Sequence, residues 1–141
     1  MATMRKMRME SATQSASDEL NSGGARLMGM KKYTLNEKGT PVHEPDLITW
    51  ARWLVSADRK VANETIGEAE VSTVFLGTDH NWGYGPPILW ETMVFGGLLD
   101  QERYQCSGNR EQAEAMHAEI VAKVRQSAEN GKRLASAHEN L

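Results

Sequence analysis

Apolar and polar positions alternate most clearly in the middle of the chain. From Val71 to Leu76 the alternation predicts a strand, with Val71, Thr73 and Phe75 on one face and Ser72, Val74 and Leu76 on the other. Ile88 to Phe95 repeats it, setting Leu89, Glu91, Met93 and Phe95 against Ile88, Trp90, Thr92 and Val94, until Gly96-Gly97 stops the run. Lys60 to Ile66, closed by a turn at Gly67-Glu68, and Glu102 to Cys106 read as flanking strands. Near the front, Lys32 to Leu35 and Thr40 to His43 are short β segments around an Asn36–Gly39 turn.

Two segments follow helical spacing instead. After Pro45, Asp46 is a suitable N-cap, and Leu47, Trp50, Ala51 and Leu54 fall on one core-facing stripe. Ile48, Trp53, Val55 and Ala57 widen that face, and the helix is expected to end near Asp58. Further on, Asn109 and Gln112 have capping-box spacing, and Ala113, Met116, Ile120 and Val124 form the apolar stripe of a closing helix. The stripe fades after about Glu129, where fraying is expected.

This order predicts an α+β fold. A meander of three to four antiparallel strands packs against two helices on one face, because short connections favour antiparallel neighbours over parallel crossovers. Residues 31–128 form the single domain, 1–30 a disordered tail and 129–141 a frayed C-terminal tail. Six of the eight methionines stand at positions 1, 4, 7, 9, 28 and 30, and Lys31-Lys32-Tyr33 opens the first ordered segment, so a true translation start at Met28 or Met30 is expected. No internal repeat is present.

A length of 141 residues fits one domain, and no apolar run approaches the roughly 18 residues that span a bilayer. Cys106 is alone, so no intrachain disulfide forms, and a cytoplasmic setting is expected. The net charge of −3 is uneven: residues 1–32 carry +3, residues 33–108 carry −6, and 109–141 balance. An acidic core repels phosphate backbones, which argues against nucleic-acid binding by the folded part.

The connector Thr78-Asp79-His80-Asn81-Trp82-Gly83-Tyr84-Gly85-Pro86-Pro87 is too long for a simple hairpin turn. One reading makes it a recognition surface. Trp82 and Tyr84 supply rigid rings with polar tips, Asp79, His80 and Asn81 supply donors and acceptors, and Pro86-Pro87 stiffen the exit. The other reading folds the rings back as a lid, with Asp79 and Asn81 capping turns. Phosphate cradling is excluded, since two prolines without N–H groups follow Gly83-Tyr84-Gly85 and the next segment is a strand.

Asp79, His80, Glu91 and His117 have the side-chain types for metal or acid–base work, but no metal-ligand spacing occurs, so no catalytic residue, metal or cofactor is assigned. Glu91 joins the candidate binding residues as an acid on an otherwise apolar strand face. It is either on the solvent side or buried and paired, with Arg52, Arg103 or His80 as partner. Cys106 has no neighbouring base in sequence and reads as a packing residue.

The run Ser72-Thr73-Val74-Phe75-Leu76-Gly77, Asp79-His80, Gly83, Gly85-Pro86-Pro87 and Glu91 to Gly97, then Leu99-Asp100, resembles a family of small phage and prophage proteins. Trp50-Ala51-Arg52-Trp53 and the Ala- and Glu-rich stretch from Glu111 to Val124 match that family's first and last helices. The resemblance spans residues 31–125 and implies a phage-derived protein in bacterial cytoplasm, with no activity attached. The leading expectation is therefore a non-enzymatic accessory protein that binds an unidentified bacterial or phage protein through residues 78–87. A small metal-dependent or acid–base hydrolase using Asp79, His80 and Glu91, and a structural homodimer burying spare apolar sheet surface, are the alternatives.

Overall fold

The structure is a computed structural model that describes residues 4–8, 30–81 and 85–139, without the side chains of 5–8 and 139. Seven strands and two helices occur in it. In chain order they are β1 (Arg5–Arg8), β2 (Tyr33–Leu35), β3 (Pro41–His43), α1 (Leu47–Ser56), β4 (Lys60–Ile66), β5 (Ala69–Phe75), β6 (Ile88–Phe95), β7 (Glu102–Ser107) and α2 (Arg110–Glu139). The fold is α+β, as the alternation predicts. Strands β4 to β7 form an antiparallel meander, β1 adds antiparallel to β7, and β2–β3 is a separate hairpin.

Two expectations about the chain ends differ from this. The tail reading of 1–30 contains no element, yet residues 5–8 pair with β7, Arg5 opposite Gln105 and Arg8 opposite Glu102. The rest of that tail, residues 1–3 and 9–29, lies outside the described residues. At the other end the last helix does not stop near Glu129 but continues to Glu139. Ala, Lys, Arg, Leu and Glu dominate that stretch, and their intrinsic helix preference carries it after the core stripe has ended.

Local chemistry fixes the helix starts. The Asp46 carboxylate accepts from Thr49 N at 2.9 Å, capping α1. Asn109 and Gln112 cap α2 reciprocally, Asn109 N donating to Gln112 Oε1 at 2.9 Å and Gln112 N to Asn109 Oδ1 at 3.2 Å.

The core lies between one sheet face and α2. Val71 and Phe75 of β5, Trp90 and Val94 of β6, and Tyr104 and Cys106 of β7 meet Ala113, Met116, Ile120, Val121 and Val124 of α2. Pairing makes this possible: Val71 stands opposite Val94, Thr73 opposite Thr92 and Phe75 opposite Trp90, so the inward positions of both strands align. Phe75 centres an aromatic chain, 5.8 Å from the Trp53 ring and 4.9 Å from the Trp90 ring, both edge-on. Trp90 also donates from Nε1 to Gly108 O at 2.8 Å, which fixes the entry to α2.

The edge strand β4 carries a bulge between Lys60 and Ala62, and Lys60 and Glu64 are exposed. Bulges and charges are how sheet edges resist pairing with other chains. Helix α1 departs from its predicted face: Trp50 is buried and Trp53 half-buried on Phe75, while Leu47 is exposed. The helix rolls toward its two indoles, which bury more apolar area than Leu47 can offer.

Candidate functional site

The connector between β5 and β6 leaves the sheet at Leu76 and returns at Ile88. Its base is tied from three directions. The Lys32–Thr78 bridge joins it to the β2–β3 hairpin, with Tyr33 N donating to Gly77 O at 2.8 Å and Asp79 N to Lys31 O at 3.0 Å. Helix α1 holds it through Trp50 Nε1, which donates to Gly77 O at 2.9 Å inside the protein. Strand β6 holds it through His80 N, which donates to Ile88 O at 2.9 Å, and Leu76 N, which donates to Leu89 O at 2.7 Å. Gly77 is required at this crossing. Its φ is +81°, and a β-carbon there would stand 2.9 Å from Leu54 Cδ1.

Asp79 closes the mouth of the loop. Its Oδ1 accepts from Asn81 N at 2.8 Å and from Ile88 N at 3.0 Å, so one carboxylate oxygen bridges the outgoing and returning chain. Asn81 adds a second tie, donating from Nδ2 to Pro86 O at 3.0 Å. His80 Nε2 sits 3.1 Å from Thr78 Oγ1. The turn-capping role read from the sequence for Asp79 and Asn81 is therefore met at the loop base. Trp82 and Tyr84 lie outside the described residues, as does Gly83.

The loop base also sets the charge environment of Tyr33. Partial burial, and then the nearby Asp79 carboxylate, push the Tyr33 phenol above its ordinary value. Tyr33 stacks at a tilt on His43, ring centres 5.5 Å apart.

Glu91 is not gathered into the partners found for Asp79 and His80. It projects from the sheet face opposite the helices, where its side chain is 12% exposed. Gln105 Nε2 donates to it at 2.9 Å, and Arg103 Nε lies 3.6 Å away, so of the three partners foreseen Arg103 is the one present. Among the described residues no group of three or more His, Cys, Asp or Glu side chains is placed to hold a metal ion.

His117 occupies the helix–sheet interface, as a link in a buried polar chain that sequence reasoning missed. Its Nδ1 is 2.7 Å from Thr73 Oγ1, which is 2.5 Å from Thr92 Oγ1, and all three residues are buried. Its Nε2 faces Glu64 Oε1 at 3.2 Å, and Arg125 lies 3.6 Å from the other Glu64 oxygen. With the proton on Nε2, Glu64 receives a donor, Nδ1 accepts from Thr73, and Thr73 accepts from Thr92. The order of groups is that of a hydroxyl–imidazole–carboxylate relay, but Thr73 and Thr92 have no solvent-exposed surface for a substrate to reach, so the chain fastens α2 to β4, β5 and β6. The signal was present in the sequence as two threonines on inward strand faces.

Cys106 is buried on β7, and burial pushes its thiol up to about 11. That holds it as the neutral thiol at ordinary pH and fits the packing role. No helix of the described residues is long and apolar enough to cross a membrane. Comparison with protein-family models, with curated proteins and with solved structures gives no match to this chain.

Proposed function

We propose that this chain is a small, non-enzymatic accessory protein of phage or prophage origin that binds a protein partner through its 78–87 loop in the bacterial cytoplasm. The observation that carries the reading is the double acceptance by Asp79 Oδ1 across the loop mouth, which pins the two ends of the connector to each other and to the sheet. The two ends of the connector, at Asp79–Asn81 and Pro86–Ile88, are thus ordered before any partner arrives, which spares binding the cost of ordering them. Trp82 and Tyr84 are residue types that dominate binding energy at interfaces, and Pro86-Pro87 stiffen the exit that follows them. The net charge of −6 over residues 33–108 favours a partner whose contact surface carries lysines or arginines. The phage origin rests on the resemblance of the 72–100 pattern.

The test is a pull-down from bacterial lysate with wild type, Trp82→Ala, Tyr84→Ala and the exposed-site control Glu119→Ala. A partner kept by wild type and control, and lost by both ring variants at unchanged melting temperature, supports the reading. The same partner set in all four samples removes the loop from the function.

A further inference from the structure

We infer that the cavity between the β2–β3 turn, the end of α1 and the start of α2 binds a free apolar α-amino acid as its zwitterion. This inference does not depend on the loop reading, since no residue of 78–87 lines the cavity. The cavity holds about 420 Å³, within the range of small-molecule sites. Leu35, Trp53 and Ala57 form its apolar part. Arg110 is brought against the turn at Gly39, where a β-carbon would stand 3.6 Å from Arg110 Cδ. Lys38 and Arg110 line it together with Glu37 and Asp58, two cations and two anions. Arg59 is engaged at Phe75 O, and neither it nor Lys60 nor Glu111 lines the cavity. A lining of net charge zero favours neither a bare anion nor a bare cation, but a ligand that carries both ends.

The fold leaves polar groups unused around this cavity. Trp50 and Trp90 each donate their indole N–H to a carbonyl, whereas Trp53 Nε1 has no acceptor among the described residues. Asn36 Oδ1 accepts from Lys38 N at 2.9 Å and Thr40 N at 3.0 Å, which fixes the amide and leaves Nδ2 without a partner among the described residues. Arg110 engages Glu114 through Nε at 3.4 Å and keeps both terminal nitrogens for another acceptor. Asp58 Oδ1 accepts from Lys60 N at 3.1 Å, and its second oxygen is unused. Helix ends reinforce the two poles. α1 ends here with no basic side chain in its last turn, so its negative end adjoins Asp58, while the positive end of α2 adjoins Arg110. An amino acid matches that polarity. Its ammonium goes to Asp58 and the end of α1, its carboxylate to the Arg110 guanidinium, and its side chain to Trp53, Leu35 and Ala57. So small a ligand binds weakly, with a dissociation constant on the order of 1 mM.

Nitrogen-15 NMR titration of the full chain with L-phenylalanine up to about 20 mM tests this. Saturating shifts are expected at the amides of Gly39, Ala57 and Arg110 and at the Trp53 indole N–H. N-acetyl-L-phenylalanine, which lacks the ammonium, and phenethylamine, which lacks the carboxylate, should each bind at least about tenfold more weakly. Arg110→Gln and Asp58→Asn should each weaken L-phenylalanine at least about fivefold. Should a variant unfold, the three probes on wild type still decide the matter. No saturation by L-phenylalanine up to about 20 mM overturns the inference, as do saturating shifts confined to other parts of the chain. N-acetyl-L-phenylalanine binding as tightly as L-phenylalanine overturns the zwitterion and makes this a carboxylate site. Phenethylamine binding as tightly overturns it in favour of an amine site. Unchanged affinity in both folded variants overturns the placement at Arg110 and Asp58.

Discussion

Replacing Asp79 with alanine removes the acceptor shared by Asn81 N at 2.8 Å and Ile88 N at 3.0 Å. Hydrogen bonds to a charged group are worth about 1.5–3 kcal/mol each. Both sites are half-buried, so water can replace part of what is lost, and the lower end applies: about 3 kcal/mol for the pair. For an ordered region of roughly 100 residues, 1 kcal/mol shifts the melting temperature by at least about 4 °C. Asp79→Ala should therefore melt about 12 °C below wild type. Asp79→Asn keeps one acceptor oxygen in place at neutral strength and should lose about half as much. Calorimetry of the three proteins, with amide exchange of Asn81 and Ile88 read alongside, checks both the size and the place of the effect. Melting temperatures of both variants within about 2 °C of wild type would show that the carboxylate does not hold the loop, and the stiffness argument for binding would go with it.

Three further outcomes follow from other parts of the molecule. Thr73→Val breaks the buried hydroxyl chain and leaves His117 Nδ1 without its donor, so a loss of about 2–4 kcal/mol is expected in urea unfolding; a change under 0.5 kcal/mol would contradict the network. Gly96→Ala should cost at least about 2 kcal/mol, because the residue sits at φ +81° and a β-carbon would stand 2.3 Å from Glu68 O. The Asp46 carboxyl is held below its ordinary value, first by its side-chain and then its backbone hydrogen bond from Thr49. Its contribution to α1 is therefore present above pH 4 and lost as the pH falls through the lowered value, and carboxyl NMR titration should show that depressed midpoint, returning toward normal in Thr49→Ala.

Much of the architecture was readable because it depends on neighbours in sequence. The bounds of β4 and β6, the Asp46 cap and the Asn109–Gln112 box all follow from spacing within a few residues. Contacts set by strand register were not readable. Thr73 meets Thr92 only because β5 and β6 pair where they do, and His117 reaches them from 44 residues away in sequence. Asp79 and Asn81 could be read as turn caps because such residues bond to backbone two positions on, whereas the tie from Trp50 to Gly77 needs the helix to be docked first. Leu47 was misplaced since a short helix with apolar residues on both sides offers periodicity no means of choosing between them.

Helix α2 lies against β4, β5, β6 and β7, and it supplies Ala113, Met116, Ile120, Val121 and Val124 to the core. It is also synthesised after every strand of the meander. Until it emerges from the ribosome, the nascent meander shows Val71, Phe75, Trp90 and Val94 to water as one uncovered greasy sheet, the kind of surface that recruits chaperones or clumps. Premature termination near Gly108 should accordingly yield an insoluble product, because the inward sheet face is made whole before the helix that covers it.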